Sequence, residues 1–310
     1  MIQEPIQVLE QFPVRKSKEQ KAAFTQAITE YAQKQGYAVK VEEEKRSVHN
    51  IVIGQPDSAQ YLITAHYDTP ASIGLPNLIA PNNPVAFFGI QFALVGIMLL
   101  AAVAVGFCVY WISGYERAAY LVGYFFYLAI LLLMLKGPAN RSNANDNTSG
   151  VVTVLQILTK LPENLRDRVC FVLFDMEEAG LVGSAAYRKR HKDATENQWV
   201  LNLDCVGDGD IIQLTPVKKA REDSVLLNRL SRICGKAGEK ELRLRSKGFY
   251  KGSSDHKNFP KGVAIMAFQC SKLIGLYCGR IHTWRDTILE ETNVCLLRDR
   301  LIALVADDQE

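Results

Sequence analysis

The sequence predicts an α/β fold: a mixed, mostly parallel sheet with helices on both faces, plus an inserted apolar helical hairpin. Three observations lead there. Beyond residue 140 short apolar runs alternate with helical patterns, the order produced when parallel strands are joined by crossover helices. Those runs are apolar almost throughout, as strands buried on both faces are. Finally, about 28 residues (85–112) pass without a charge, and after "SGYER" about 18 more (118–135) do the same.

Residues 17–36 read as an amphipathic helix, with Ser17 as its cap, Phe24, Ile28 and Tyr31 on one stripe and Gly36 as its stop. Three β-like runs follow: 37–43, 49–54 and 61–66. After the hairpin, 150–160 is helical, 169–174 a strand, 181–191 helical and 199–204 a strand. A short strand at 210–214 precedes a helix over 222–237, a weak strand at 241–245, a strand at 263–268 and a closing helix over 291–306. Residues 1–84 and 136–310 are expected to form one domain with 85–135 as its insertion; no internal repeat or linker is visible.

With 310 residues, 48% hydrophobic and 22% charged, the chain is globular. A net charge of +3 without a long basic tract gives no reason to expect nucleic acid. The seven cysteines are scattered and lack CxxC spacing, which points to reduced thiols facing the cytoplasm, and no secretory leader is expected. The two apolar runs have the length of membrane spans, and Tyr110, Trp111, Tyr115 and Tyr120 crowd their turn as interfacial aromatics do. The alternative is a buried hairpin or a dimer interface in a soluble enzyme.

Ligands of such sheets gather beyond the carboxyl ends of the strands. There the sequence places His66 and Asp68 after 61–65, Asp175, Glu177 and Glu178 after 169–174, and Asp204 after 199–203. Asp146 precedes the helix near Thr148, and His282 follows the 263–268 strand. Each has a plainer reading, as a surface histidine, a solvated turn or a helix cap. Their joint occurrence at successive strand ends is what indicates a metal site, rich in oxygen, containing nitrogen and free of thiolate. Cations between them explain why Glu177 and Glu178 stand side by side.

Six stretches, "AHYD" (65–68), "ANDNTSG" (144–150), "DMEEAGLVGS" (175–184), "NLDCVG" (202–207), "SSDHKNF" (253–259) and "IHTWRDT" (281–287), resemble the two-zinc exopeptidases of the bacterial leucyl aminopeptidase type, peptidase family M28. The resemblance implies a sheet of about eight strands, a cis peptide after the bridging aspartate and two divalent ions, zinc in the family. It implies that His66, Asp146 and Asp204 hold one ion and Asp146, Glu178 and His282 the other. Glu177 would be the general base, Asp68 would orient His66, and Tyr250 is the candidate oxyanion donor, although its spacing departs from the family pattern. Asp255 and His256 match the motif as structural loop residues.

Soluble members lack the apolar hairpin between the first histidine and the bridging aspartate. Lys136 and Arg141 flank the second span on the catalytic side, against Arg117 with Glu116 in the turn, which favours a cytoplasmic catalytic domain. The expected activity is membrane-associated aminopeptidase action on peptide substrates, with residues 85–135 meeting lipid. A carboxypeptidase or other amidohydrolase on the same fold, or an inactive scaffold, are the alternatives. The full set of five ligands with Glu177 argues against the scaffold and against a one-metal glutaminyl cyclase type.

Overall fold

A computed structural model describes residues 2–44, 48–75 and 77–307. The chain begins with a short helix α1 (Val8–Gln11) and the helix α2 (Lys18–Lys34). Ser17 caps α2 as expected: its Oγ accepts from the Gln20 amide at 3.3 Å, and Gln20 reaches back to the Ser17 amide at 2.9 Å. Strands β1 (Val39–Glu44), β2 (Val48–Ile53), β3 (Tyr61–His66) and the two-residue β4 (Leu78–Ile79) precede the apolar helices α3 (Pro84–Ser113) and α4 (Glu116–Lys136). Then come α5 (Gly150–Lys160), β5 (Val169–Phe174), α6 (Val182–Arg190), β6 (Trp199–Leu203), β7 (Ile211–Pro216) and α7 (Ser224–Ile233). The chain closes with β8 (Gly235–Ala237), β9 (Lys240–Leu244), β10 (Gly262–Ser271), β11 (Gly275–Gly279) and α8 (Glu291–Ala306).

The eleven strands of the described residues join one sheet, with the path β1-β2-β5-β3-β6-β10-β7-β9-β8 and β11 linking β10 to β4. Its centre, β5-β3-β6-β10, is parallel, and Ile63 on β3 stands level with Phe171 on β5 and Leu201 on β6. Side chains alternate between two apolar layers. Tyr61, Ile63, Phe171, Leu173, Leu201 and Leu203 enter the larger, beneath α2, α5, α7 and α8. Leu62, Val172, Phe174 and Val200 enter the other, with Tyr187 of α6 and Phe259. Covering both faces explains why these strands read as unbroken apolar runs.

The structure departs from expectation in three places. The helix expected over 222–237 stops at Ile233, because Gly235 (φ +141°) and Gly238 (φ +62°) turn the chain into the edge hairpin β8–β9. β10 runs to Ser271 rather than ending at 268. β4 and β11 were not foreseen; "GLYCG" is too short and glycine-rich to read as a strand. With β8, they raise the count among the described residues to eleven from about eight.

α3 and α4 pack through small residues. A Cβ on Gly106 would lie 2.9 Å from the Ala119 carbonyl oxygen, and one on Gly123 2.9 Å from that of Ala102, so only glycine permits this approach. Their other faces are bare: Phe92 is 71% exposed, Leu100 71% and Val103 67%. Both helices are long and apolar enough to cross a membrane, and within α4 Gly123 alone is buried. Within this chain the hairpin does not enter the core. Their ends are tied to the sheet: Lys251 donates its amide to the Pro81 carbonyl at 2.9 Å, Asn82 pairs with Gln213 at 2.8 Å, and Ser72 donates its amide to the Pro138 carbonyl at 2.8 Å.

Candidate metal centre

Because β5, β3 and β6 are adjacent and parallel, their carboxyl ends deliver His66, the Glu177–Glu178 turn and Asp204 to one edge within two strand spacings. Asp146 arrives from the turn ahead of α5, where the Asp146–Asn147 peptide is cis, as the resemblance implied. His282 arrives from the loop after β11, itself in a left-handed conformation (φ +60°).

The Asp146 carboxylate lies between the two imidazoles. Its Oδ1 is 3.3 Å from His66 Nε2 and its Oδ2 is 3.0 Å from His282 Nε2. Asp204 Oδ1 is 3.7 Å from His66 Nε2, and Glu178 Oε1 is 3.5 Å from His282 Nε2. Donor atoms of His66, Asp146 and Asp204 all lie within 4.8 Å of one another, and so do those of Asp146, Glu178 and His282. His66, Glu177 and Glu178 meet the same limit. All five expected ligands and Glu177 are therefore brought together.

Glu177 and Glu178 do not lie on the strand. Met176 takes φ +55° and ends the extended course, and the Gly180 and Leu181 amides close a turn on the Glu177 carbonyl at 2.9 and 2.8 Å. The turn, rather than strand alternation, lets both side chains approach the cluster. Asp68 anchors it: its Oδ1 accepts from the Glu177 amide at 3.0 Å and its Oδ2 from the Glu178 amide at 3.2 Å. Asp68 Oδ1 also stands 3.5 Å from His66 Nδ1, a buried nitrogen with no formed hydrogen bond. Asp175 turns away, accepting from Lys21 Nζ and, at 3.1 Å, from the His49 amide.

Tyr250 is half-buried near this edge, its hydroxyl donating to Met266 Sδ at 3.4 Å. Asp255 and His256 are buried in their loop, where Asp255 accepts from Ser184 Oγ. Two supporting residues escaped the sequence reading. Asp286 accepts from the Asn145 and Asp146 amides at 2.8 and 3.0 Å and so holds the aspartate turn. It stands four residues after His282, a signal that could have found it. Arg15, in an ordinary-looking "VRK", is fully buried and donates to Thr148 Oγ1 at 3.1 Å and to the Phe12 carbonyl at 2.7 Å. Burial lowers its pKa to about 10 despite the charges of Asp68 and Asp146.

Electrostatics supply the test of fit. Burial, together with neighbouring carboxylates, drives Glu177 and Glu178 well above the ordinary carboxylate range. Burial also opposes ionisation of Asp146, but the imidazoles of His282 and His66 outweigh it and hold that carboxyl low. Acids crowded this closely are relieved by divalent cations, and a set of imidazoles and carboxylates without thiolate suits zinc or its neighbours. The residues fit two such ions. Above them lies a pocket of about 410 Å³, bounded also by Ile79, Met266 and Ile281.

The sequence model of peptidase family M28 matches residues 134–295, more than half of the chain. The chain belongs to peptidase family M28. M28 membership makes it a metal-dependent hydrolase with a zinc-peptidase fold. The fold is shared with a Porphyromonas gingivalis glutaminyl cyclase (TM-score 0.57, 16% identity, 95% of this chain and 92% of that one). It is shared with a Bacteroides thetaiotaomicron glutaminyl cyclase (0.58, 14%, 96% and 94%). The Legionella pneumophila LapA aminopeptidase is equally similar (0.56, 16%, 99% and 70%). No curated protein matches the chain in sequence.

Proposed function

We propose that this M28 member is a membrane-anchored, two-metal aminopeptidase. The observation that carries the reading is Asp146, whose two carboxylate oxygens each face one imidazole, the disposition of a bridging ligand. His66 and Asp204 complete one three-ligand set, Glu178 and His282 the other. Bound divalent ions would supply the Lewis acidity that polarises a scissile carbonyl and acidifies a water. The chain's own groups do the rest. Glu177 removes the proton from the attacking water and returns it to the leaving amine. Asp68 fixes the glutamate turn and, closing on Nδ1, the tautomer of His66. Tyr250 turns its hydroxyl from Met266 to the developing oxyanion.

Metal analysis with a panel of aminoacyl anilides and blocked peptides tests this. Two equivalents of zinc or a related ion, turnover abolished by chelator and restored by metal, and preference for a free amino terminus are expected. In the same assay Tyr250→Phe is expected to lower kcat about 10²-fold with metal content unchanged, the scale of one oxyanion donor. Cleavage only of free carboxyl termini would select a carboxypeptidase instead, absence of both bound metal and turnover would leave the scaffold, and turnover indifferent to chelator would refute the metal mechanism.

The exposed apolar faces of α3 and α4 support an anchor, because about 18 to 28 uncharged residues per helix match the bilayer core. Lys136 and Arg141 on the catalytic side, and seven cysteines that are all unpaired, favour a cytoplasmic catalytic domain. The full chain should stay in the membrane pellet through alkaline carbonate extraction, and a folded variant lacking residues 85–135 should leave it. Retention of that variant would remove the hairpin as the anchor.

A further inference from the structure

The metal pocket is not closed by the catalytic fold alone. Phe87 and Gln91, on the first two turns of α3, line it together with His66, Asp146 and Glu177. This wall is held in place. Asn83 caps α3 by accepting from the Ala86 amide at 3.1 Å, and Phe87 meets the Phe249 ring at 6.4 Å in the loop that hydrogen-bonds Pro81.

Gln91 is the unusual member. It is the single amide or charged side chain among residues 85–112. A polar side chain in an apolar helix is costly unless it meets a partner. Among the described residues Gln91 has no hydrogen-bond partner, and it faces the pocket rather than the bare side of the helix. Lying eight residues beyond Asn83, it stands roughly 12 Å along the helix. At that depth the pocket extends beside a helix that otherwise carries only apolar groups.

Resting on the aminopeptidase reading, we infer that α3 is part of the substrate site. Gln91 hydrogen-bonds the backbone amide of the bound peptide, which offers the donor and acceptor a carboxamide complements, and Phe87, with Ile79 and Ile281, takes an apolar amino-terminal side chain. The substrate class is a peptide with an apolar amino terminus that enters from the lipid surface. The hairpin then sets specificity as well as location.

The experiment uses the full chain in phosphatidylcholine vesicles, comparing wild type, Gln91→Leu, Phe87→Ala and, as a control on the outward face, Phe92→Ala. Steady-state kcat and KM on leucyl- and aspartyl-initiated peptides are measured beside equilibrium binding of the same dye-labelled peptides. Gln91→Leu should weaken binding and raise KM about tenfold for both peptides, the scale of one lost hydrogen bond. Phe87→Ala should do so for the leucyl peptide only, and Phe92→Ala should match wild type, with metal content equal in all. If Gln91→Leu and Phe87→Ala both behave like Phe92→Ala, the inference is overturned. If wild type binds but does not turn over, and the variants weaken binding as stated, the inference stands and the catalytic reading falls. If wild type neither binds nor cleaves, both fall.

Discussion

Glu177→Gln is expected to keep the full complement of metal and to lose at least about 10²-fold in kcat, with KM little changed. The substitution is nearly isosteric, and the Glu177 amide stays fixed on Asp68 whatever the side chain. The five residues assigned to the metals are untouched. What disappears is the capacity to take a proton from water and release it to the leaving amine, and a carboxamide at this position can do neither. A variant that turns over within about threefold of wild type would show that Glu177 is not the base. A variant that binds less metal would show that it is a ligand, a role its place beside His66 and Glu178 makes the natural competitor.

Asp146→Ala is expected to be the most damaging single change at the site, lowering the rate at least about 10³-fold and reducing bound metal from two equivalents to fewer than one. Loss of a residue that merely supports a ligand costs about 10- to 100-fold. Asp146 belongs to both ligand sets, so its removal leaves each with two protein donors. Its carboxylate also separates His66 from His282. Circular dichroism should remain that of the folded protein, since the turn is held from the backbone by Asp286. Retention of two tightly bound ions by this variant would mean that the sets do not share Asp146.

These two residues also show what the sequence made legible. Strand ends have a one-dimensional signature: an apolar run stops and a polar, chemistry-bearing residue follows. His66, Glu178 and Asp204 could be found that way because parallel strands place such ends together. Asp146 and His282 came from loops, where the signal is weaker: they were found by standing beside a helix start and beyond a strand, and the resemblance then assigned each ligand its ion. The edge of the sheet was less legible, because β4 and β11 are short strands set by pairing with neighbours rather than by their own pattern. Arg15 was invisible for a different reason: burial of a guanidinium depends on acceptors at Phe12, Tyr67 and Thr148, most of them far along the chain. The same holds for Gln91, which stood in plain view within an apolar run but acquires meaning only once α3 is seen against the pocket.

Anomalous diffraction from crystals of the full chain, collected at the zinc edge, addresses the central claim most directly. Two peaks about 3.5–4 Å apart are expected, one within bonding distance of His66 and Asp204, the other of Glu178 and His282, with Asp146 touching both. A single peak, or none among these side chains in active protein, would contradict it.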